Sequence, residues 1–181
     1  MDVKEKLKSI DMKNIVIVAV IIAVIIAAIL GITALGSKPN KKKAEEIVKN
    51  YLEAMSDGDG DKMLELIDDK GYIIFNEYGE KKFDKKYKDA KKYVNNYLEE
   101  KKYGDLEDAT KDIAKKFENN NKYYKYDFKE IVSIEKSSKS KKIIIIKAKV
   151  KQKTDYATNN NTIKLYLVKV KSQFKVVGVE M

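Results

Sequence analysis

The chain has 181 residues and a formal net charge of +10, and it contains no Cys and no His. The absence of Cys excludes a disulfide framework, a thiolate zinc site and a cysteine nucleophile, and the absence of His removes the commonest general base near neutral pH. All 38 basic residues are Lys, so the bidentate guanidinium fork is missing and specific nucleic-acid recognition is disfavoured. The positive charge leaves two interpretations open: solvated faces, or attraction to an anionic surface.

The first 14 residues form a short charged tail, and residues 15–35 then run for 21 residues without a charge. At about 1.5 Å per residue, a helix of this length spans about 30 Å, the hydrocarbon thickness of a bilayer. We therefore predict a single transmembrane helix, which makes membrane lipid an expected partner. A cleaved signal peptide is the alternative, although the apolar region of a signal peptide runs only ~7–15 residues. Lysines flank both ends of the stretch, so the positive-inside rule leaves the orientation open.

Residues 36–41 form a short linker, and residues 42–181 are enough for one compact domain with a hydrophobic core. The domain opens with apolar residues at i, i+3, i+4, i+7, i+8 and i+11, which is the spacing of an amphipathic helix. These residues are Ala44, Ile47, Val48, Tyr51, Leu52 and Met55. Residues 56–60 end this helix, and Asp61 is the predicted N-cap of a second, shorter helix that ends at Ile67.

The middle of the chain is predicted to contain one short strand and two helices. Gly71 ends the preceding helix, and the apolar run of residues 72–75 (YIIF) is typical of a short buried strand. A Lys-rich helical region follows, with one apolar stripe made of Ala90, Tyr93, Val94, Tyr97 and Leu98. Asp105 is the predicted N-cap of the next helix, which turns inward Leu106, Ala109, Ile113 and Phe117.

After residue 121 the apolar period changes to two, the period of a half-buried strand. One strand shows it most clearly, because its alternate residues are Ile144, Ile146, Ala148 and Val150. The other predicted strands cover residues 126–134, 163–167 and 174–181, with a turn at 137–140 and a polar loop at 155–161. Helices followed by strands that are joined by hairpins predict an α+β fold with an antiparallel sheet wrapped around the helices.

The helical segment AEEIVKNYLEAMSDGDGDKMLELID and the C-terminal meander ending FKVVGVE resemble the nuclear-transport-factor-2-like (cystatin-like) family. The similarity covers roughly residues 42–181 and points to the membrane-anchored or lipoprotein versions found in Gram-positive bacteria. It implies a cone-shaped sheet wrapped around the N-terminal helices, whose open end can hold a small molecule. Residues 81–121 depart from the family's layout, because the helical region is longer there.

The ketosteroid isomerases of this fold place an oxyanion-donating tyrosine in the first helix and a general-base carboxylate some two dozen residues later. By resemblance, Tyr51 falls at the tyrosine position, whereas the base position falls on Phe75, with Glu77 two residues beyond. A phenylalanine cannot accept a proton, so we expect Tyr51 to be a residue of the core stripe. If the domain binds a small apolar ligand, the expected lining residues are Tyr51, Met55, Phe75 and Glu77.

Two further groups of charged residues are candidates for sites. Residues 57–61 (DGDGD) place carboxylates at alternate positions, as a calcium loop does, but Lys62 and Asp68 stand where that loop needs Gly and Glu. We therefore predict no metal site, and no cofactor. The second group is a row along one strand, for which a solvated face and a docking stripe for an anionic polymer are both open. This row consists of Lys147, Lys149, Lys151 and Lys153.

We predict a non-catalytic, single-pass membrane protein whose extracytoplasmic domain acts in binding or assembly at the cell envelope. The resemblance implies two alternatives: a structural bridge component of a conjugation or secretion channel, and a small-molecule isomerase- or dehydratase-like enzyme. Placement of the domain outside the membrane follows from the resemblance. The expected partner is a protein or an anionic envelope polymer, and the ligand, the oligomeric state and the orientation are left open.

Overall fold

The computed structural model describes residues 37–120 and 123–181. Residues 38–181 form one compact unit, in which helices precede an antiparallel sheet. The α+β class predicted from the sequence is confirmed. The predicted transmembrane segment, residues 15–35, lies outside the described residues. Among the helices that are described, none combines the length and the apolar character that crossing a membrane requires.

The helices of the described residues follow one another with short connections. They are α1 (Lys41–Asp57), α2 (Gly60–Leu66), α3 (Asp69–Lys88), α4 (Ala90–Lys101) and α5 (Leu106–Asn120). The N-cap of α2 is Asp59 and not Asp61, because the Asp59 carboxylate accepts a hydrogen bond from the Lys62 amide at 2.9 Å. Asp105 caps α5 as predicted, since its carboxylate accepts the Asp108 amide at 2.9 Å.

Four strands form one antiparallel meander in chain order, with edges at the first and last strands. They are β1 (Lys125–Lys136), β2 (Ile144–Lys153), β3 (Thr158–Val170) and β4 (Gln173–Glu180). The prediction of a polar loop over residues 155–161 is wrong from Thr158 onward. Asn159 and Asn161 pair with Gln152 and Val150 of β2, because a backbone ladder does not depend on apolar side chains.

The core lies between α1 and the sheet. One face of β2 is buried as the period of two predicted, through Ile144, Ile146, Ala148 and Val150. The apolar stripe of α1 is buried with it, and α1 packs along β1. Its C-terminal end is joined to the start of β1, where the Tyr126 amide donates to the Ser56 hydroxyl at 2.9 Å.

Residues 72–75 are helical, so the prediction of a strand there is wrong. They lie in the first half of α3, whose N-cap Asp68 accepts a hydrogen bond from the Gly71 amide at 2.8 Å. Gly71 therefore stands in the first turn of this helix and does not end the preceding one. A run of four apolar residues is ambiguous, because a buried helical turn and a buried strand have the same sequence signature.

Gly79 divides α3 into two halves that fold back on each other. Its φ of 70° and ψ of 170° lie in a region that only glycine occupies readily. The reversal is evident from the Tyr87 hydroxyl, which donates to the Asp68 carboxylate at 2.9 Å. In a straight helix these residues would stand about 28 Å apart. The second half of α3 then reaches the β1–β2 loop, where its Asp84 accepts from the Ser140 hydroxyl at 2.5 Å.

The first half of α3 lies against β4 and the neighbouring part of β3. The Phe75 ring packs on the Tyr166 ring with centroids 4.7 Å apart. A Cβ atom at Gly178 would overlap the Phe75 ring, so glycine is what allows the helix to approach the strand this closely. This contact fixes the position of the helix turn that carries the candidate site described next.

Candidate functional site

Of the four residues predicted to line a ligand cavity, three belong to or pack against the hydrophobic core, and the cavity itself stays a prediction. Tyr51 and Met55 are fully enclosed in the core, and Phe75 is half-buried against β3. Glu77 is exposed and faces a different part of the molecule, a groove between helices. The expected interior of a cone is thus filled by side chains at the level of Tyr51.

Tyr51 is a core residue with an orphaned hydroxyl. Its side chain is 0% exposed, and the hydroxyl has no hydrogen-bond partner among the described residues. Burial raises the pKa of the phenol far above its ordinary value, with a smaller contribution from Tyr72 and Tyr126. Tyr51 therefore stays protonated and neutral, as expected for a member of the core stripe.

The candidate site is a groove of about 290 Å³ between the first half of α3, α4 and α5. α3 contributes one long side from residues one helical turn apart, and α5 contributes the facing side. The lining residues are Tyr72, Ile73, Asn76, Glu77, Tyr97, Ile113, Lys116 and Phe117. We call this set the helical groove.

Aromatic rings form most of the surface of the helical groove. The Tyr72 and Phe117 rings meet across it at a centroid distance of 6.1 Å, tilted by 54°. The Tyr97 ring stacks on the Tyr103 ring with centroids 5.9 Å apart. This contact restrains the Tyr97 ring in the groove lining. Ile113 lies at the bottom and is buried. The groove therefore presents ring faces and an aliphatic floor rather than a set of aligned polar groups.

The polar side chains of the helical groove are held by local contacts. The Asn76 amide donates to the Tyr72 carbonyl oxygen at 2.7 Å, within the same helix. The Lys116 ammonium group forms an ion pair of 2.7 Å with Asp112, to which the Tyr103 hydroxyl also donates. These two hydrogen bonds lower the pKa of Asp112, and the same contact with Asp112 raises the pKa of Lys116. The charged residues in the lining of the groove are Lys116 and Glu77.

This arrangement suits binding by apolar contact. Ligand grooves of this kind use apolar walls for affinity and a few polar groups for orientation. Among residues 37–120 and 123–181, no group of three or more Asp and Glu side chains is close enough together to hold a metal ion. The Asp57–Asp61 segment is instead explained by the helix cap of Asp59.

The lysine row of β2 faces a row of carboxylates on β1. Lys149 pairs with Glu130 at 2.6 Å, and Lys147 and Lys153 pair with Glu135 and Asp127, both at 2.7 Å. Hydrogen bonding to these lysines lowers the pKa of both Asp127 and Glu130. Three of the four predicted docking charges are therefore paired within the sheet, and the docking stripe stays a prediction.

The helical groove could be found only in part from the sequence. Tyr97 and Phe117 were recognised as inward-facing members of their helical stripes. Tyr72 and Asn76 do not stand out in the sequence, because the apolar run of residues 72–75 is typical of a strand. The signal that could have found them is the i, i+4 spacing of Tyr72 and Asn76 after the capping residue Asp68.

The helices and the meander together define a small α+β domain with an aromatic groove between its helices. The chain belongs to the ARC6-like, IMS domain family, because the family model matches residues 81–176, more than half of its length. The match starts in the second half of α3 and ends in β4. It is a different assignment from the nuclear-transport-factor-2-like family, and both imply helices with an antiparallel sheet. No curated protein matches the chain.

Proposed function

We propose that this protein is a non-catalytic binding protein that is tethered to a membrane and presents the helical groove to a partner. The observation that carries the proposal is the composition of the groove, in which Tyr72, Tyr97 and Phe117 surround an aliphatic floor. An aromatic or aliphatic group of a ligand would gain free energy by covering these faces, at about 25 cal/mol per Å² of apolar area.

The membrane tether of this proposal is residues 15–35. Its support is the sequence, because 21 uncharged residues match the thickness of a bilayer. The name of the family refers to an intermembrane-space (IMS) domain. A domain that is held beside a membrane is consistent with that name. We further propose that residues 38–181 lie on the extracytoplasmic side.

The groove is tested on residues 38–181, which contain the whole core of the described domain. The probes are N-acetyl-phenylalanine amide and N-acetyl-leucine amide, which offer one aromatic or aliphatic group each. We expect the methyl NMR signals of Ile73 and Ile113 to shift together and to saturate. Ile163 is the matched control, because it is buried in the sheet away from the groove.

The Tyr97→Ala variant should weaken binding of the aromatic probe by about fivefold, since it removes one wall of the groove. Tyr156→Ala is its control, because Tyr156 is 99% exposed and lies on the β2–β3 loop. Shifts that are no larger at Ile113 than at Ile163, with both probes, would refute the groove as a binding site. Chemical conversion of a bound small molecule would refute the non-catalytic part.

The side of the membrane is tested with a single cysteine, because the natural chain has none. Ser138 is exposed on the β1–β2 loop and can be replaced by Cys. We expect a membrane-impermeant thiol reagent to label this cysteine in intact cells. Labelling that appears only after lysis would place the domain on the cytoplasmic side and overturn the extracytoplasmic part of the proposal.

A further inference from the structure

A group of exposed lysines lies away from the lysine row of β2, near the β1–β2 loop. The second half of α3, the start of α4 and the β1–β2 loop carry nine exposed lysines. Lys139 pairs with Glu80, and Lys81 and Lys82 stand next to the Gly79 kink, which leaves six. These six are Lys85, Lys88, Lys91, Lys92, Lys141 and Lys142, and we call them the basic end. None of the six belongs to an ion pair among the described residues, in contrast to the lysine row of β2.

The tertiary structure brings these lysines together from two distant parts of the chain. The Asp84 carboxylate accepts hydrogen bonds from the backbone amides of Lys141 at 2.7 Å and Lys142 at 3.4 Å. The Lys142 ammonium group lies 5.8 Å from the centre of the Tyr87 ring. The β1–β2 loop is thus fastened to the second half of α3, and its lysines stand beside those of the helix.

Few acidic groups oppose the basic end. Lys88, Lys91 and Lys92 surround one shallow depression, and Asp89 is the acidic side chain in its lining. The carboxylate of Asp84 is turned inward, where it accepts the Ser140 hydroxyl and the loop amides. These segments contain three carboxylates, Glu80, Asp84 and Asp89. Glu80 is occupied by Lys139 and the Ser137 hydroxyl, and Asp84 by the Ser140 hydroxyl and the loop amides.

The basic end lies at the same end of the domain as Lys38, the residue with which the domain begins. The Lys38 ammonium group donates to the Ile134 carbonyl oxygen at 2.9 Å, near the C-terminal end of β1. The β1–β2 loop begins just beyond, where the Ser137 amide donates to the Ile143 carbonyl oxygen at 2.9 Å. The β2–β3 loop with Tyr156 stands at the other end of these strands, roughly 30 Å away.

We propose that the basic end docks the domain onto an anionic lipid surface. The inference rests on the proposed tether, because residues 35 to 41 can span at most about 20 Å. A connection of that length between the tether and α1 holds the start of the domain within reach of lipid headgroups. Each lysine that comes within a Debye length of an anionic bilayer strengthens docking about fivefold. The six lysines of the basic end then fix the orientation of the domain over the membrane.

The test uses the full chain reconstituted into vesicles of phosphatidylcholine with or without phosphatidylglycerol. A fluorophore is attached at Cys in Ser138→Cys or, separately, in Tyr156→Cys, and a headgroup nitroxide lipid serves as the quencher. We expect quenching at position 138 only when phosphatidylglycerol is present, and its loss at high salt because exposed charges are screened. Position 156, at the opposite end, should not be quenched in either vesicle.

Two charge variants of equal size separate the basic end from the sheet. The first replaces Lys88, Lys91, Lys141 and Lys142 by Gln, and should lower docking about fivefold for each lysine removed. The second replaces Lys147, Lys149, Lys151 and Lys153 by Gln, and should leave the quenching at position 138 unchanged. Far-ultraviolet circular dichroism on both variants verifies that the fold is retained.

The outcomes separate failure of docking from failure of the tether. A chain that floats with the vesicles but shows no quenching at position 138 overturns the docking surface and leaves the tether standing. A chain that does not float with the vesicles refutes the tether, and the docking inference falls with it. Quenching that is equal in neutral and anionic vesicles overturns the role of charge. Binding of soluble polyphosphate to the basic end, without quenching by the anionic vesicle, would assign a polymer instead of lipid.

Discussion

Two aromatic groups of this domain have opposite environments, although both begin as apolar stripes in the sequence. Tyr51 is enclosed between α1 and the sheet, and its hydroxyl has no partner in the part of the chain that the structure describes. Tyr72, Tyr97 and Phe117 instead keep part of their rings open in the helical groove. The first arrangement stabilises the fold, and the second leaves apolar area that a ligand can cover. An apolar stripe in a sequence therefore locates buried surface, and the packing of neighbouring elements decides which part stays open.

The sharpest way to break this comparison is to truncate one member of each group. We expect Tyr51→Ala to cost about 3–5 kcal/mol in the free energy of unfolding, because it leaves a cavity in a closed core. Tyr97→Ala should cost less than half as much, since the groove side of that ring already faces solvent. Urea denaturation of residues 38–181 measures both values. Equal losses would mean that the groove is part of the core.

Tyr51→Phe is the matched control for the core variant. The hydroxyl has no hydrogen-bond partner within residues 37–120 and 123–181, so its removal should be neutral or stabilising within about 1 kcal/mol. A loss as large as that of Tyr51→Ala would show that the hydroxyl has a partner in solution.

The next effect concerns Gly79, whose backbone conformation turns α3 back and so sets one wall of the helical groove. We expect Gly79→Ala to cost about 1–3 kcal/mol, because the strain lies in the backbone alone. Apart from its neighbours in the helix, no described residue places a heavy atom within 4 Å of a Cβ at this position, so we expect no steric contribution. The unfolding midpoint measures the loss.

Gly104→Ala is the control for that variant. Its φ is not positive, and a Cβ there would meet only the mobile carboxylate end of Asp108. This change should cost no more than about 0.5 kcal/mol. If Gly79→Ala lowered the free energy of unfolding as little as Gly104→Ala, the reversal of α3 would not depend on the backbone conformation of Gly79.

The smallest effect concerns the pKa values of Tyr103 and Asp112, which contact the groove residues Tyr97 and Lys116. The hydrogen bond to Asp112 raises the pKa of Tyr103 to about 12, and the pKa of Asp112 is lowered by Lys116 and Tyr103. Ultraviolet titration should show Asp112→Asn returning the Tyr103 pKa toward its ordinary value of about 10. Tyr103→Phe is the control, because it should remove this titration step altogether.

The direction of the pH dependence follows from these two shifts. Because the pKa of Asp112 is lowered in the folded state, ionised Asp112 stabilises the fold. This contribution is fully present above about pH 4 and is lost as the pH falls through the lowered pKa. The raised pKa of Tyr103 means that its contribution is present below about pH 10 and is lost as the pH rises through about 12. A Tyr103 pKa that is the same in the wild type and in Asp112→Asn would contradict this pairing.

Local patterns predicted most of the elements but not the groove. The stripe of α1, the cap at Asp105 and the alternation of β2 are local signals, and the structure contains all three. The sequence does not reveal the helical groove, because residues 72–75 on one of its sides have the pattern of a strand. Its other residues could be placed on the inner faces of their helices, but nothing in the sequence indicated that these faces do not close completely.

The sequence by itself determined the class of the fold, the presence of most helices and strands, and the burial of Tyr51, because each depends on periodicity or capping within a few residues. The tertiary structure alone decided where charge and apolar area remain open. The β2 lysines are paired across strands with Glu130 and Glu135, whereas Lys88 and Lys141 meet only because Gly79 reverses α3 and Asp84 holds the β1–β2 loop. Pairing and exposure depend on contacts between residues that are distant in the chain, and composition does not encode such contacts.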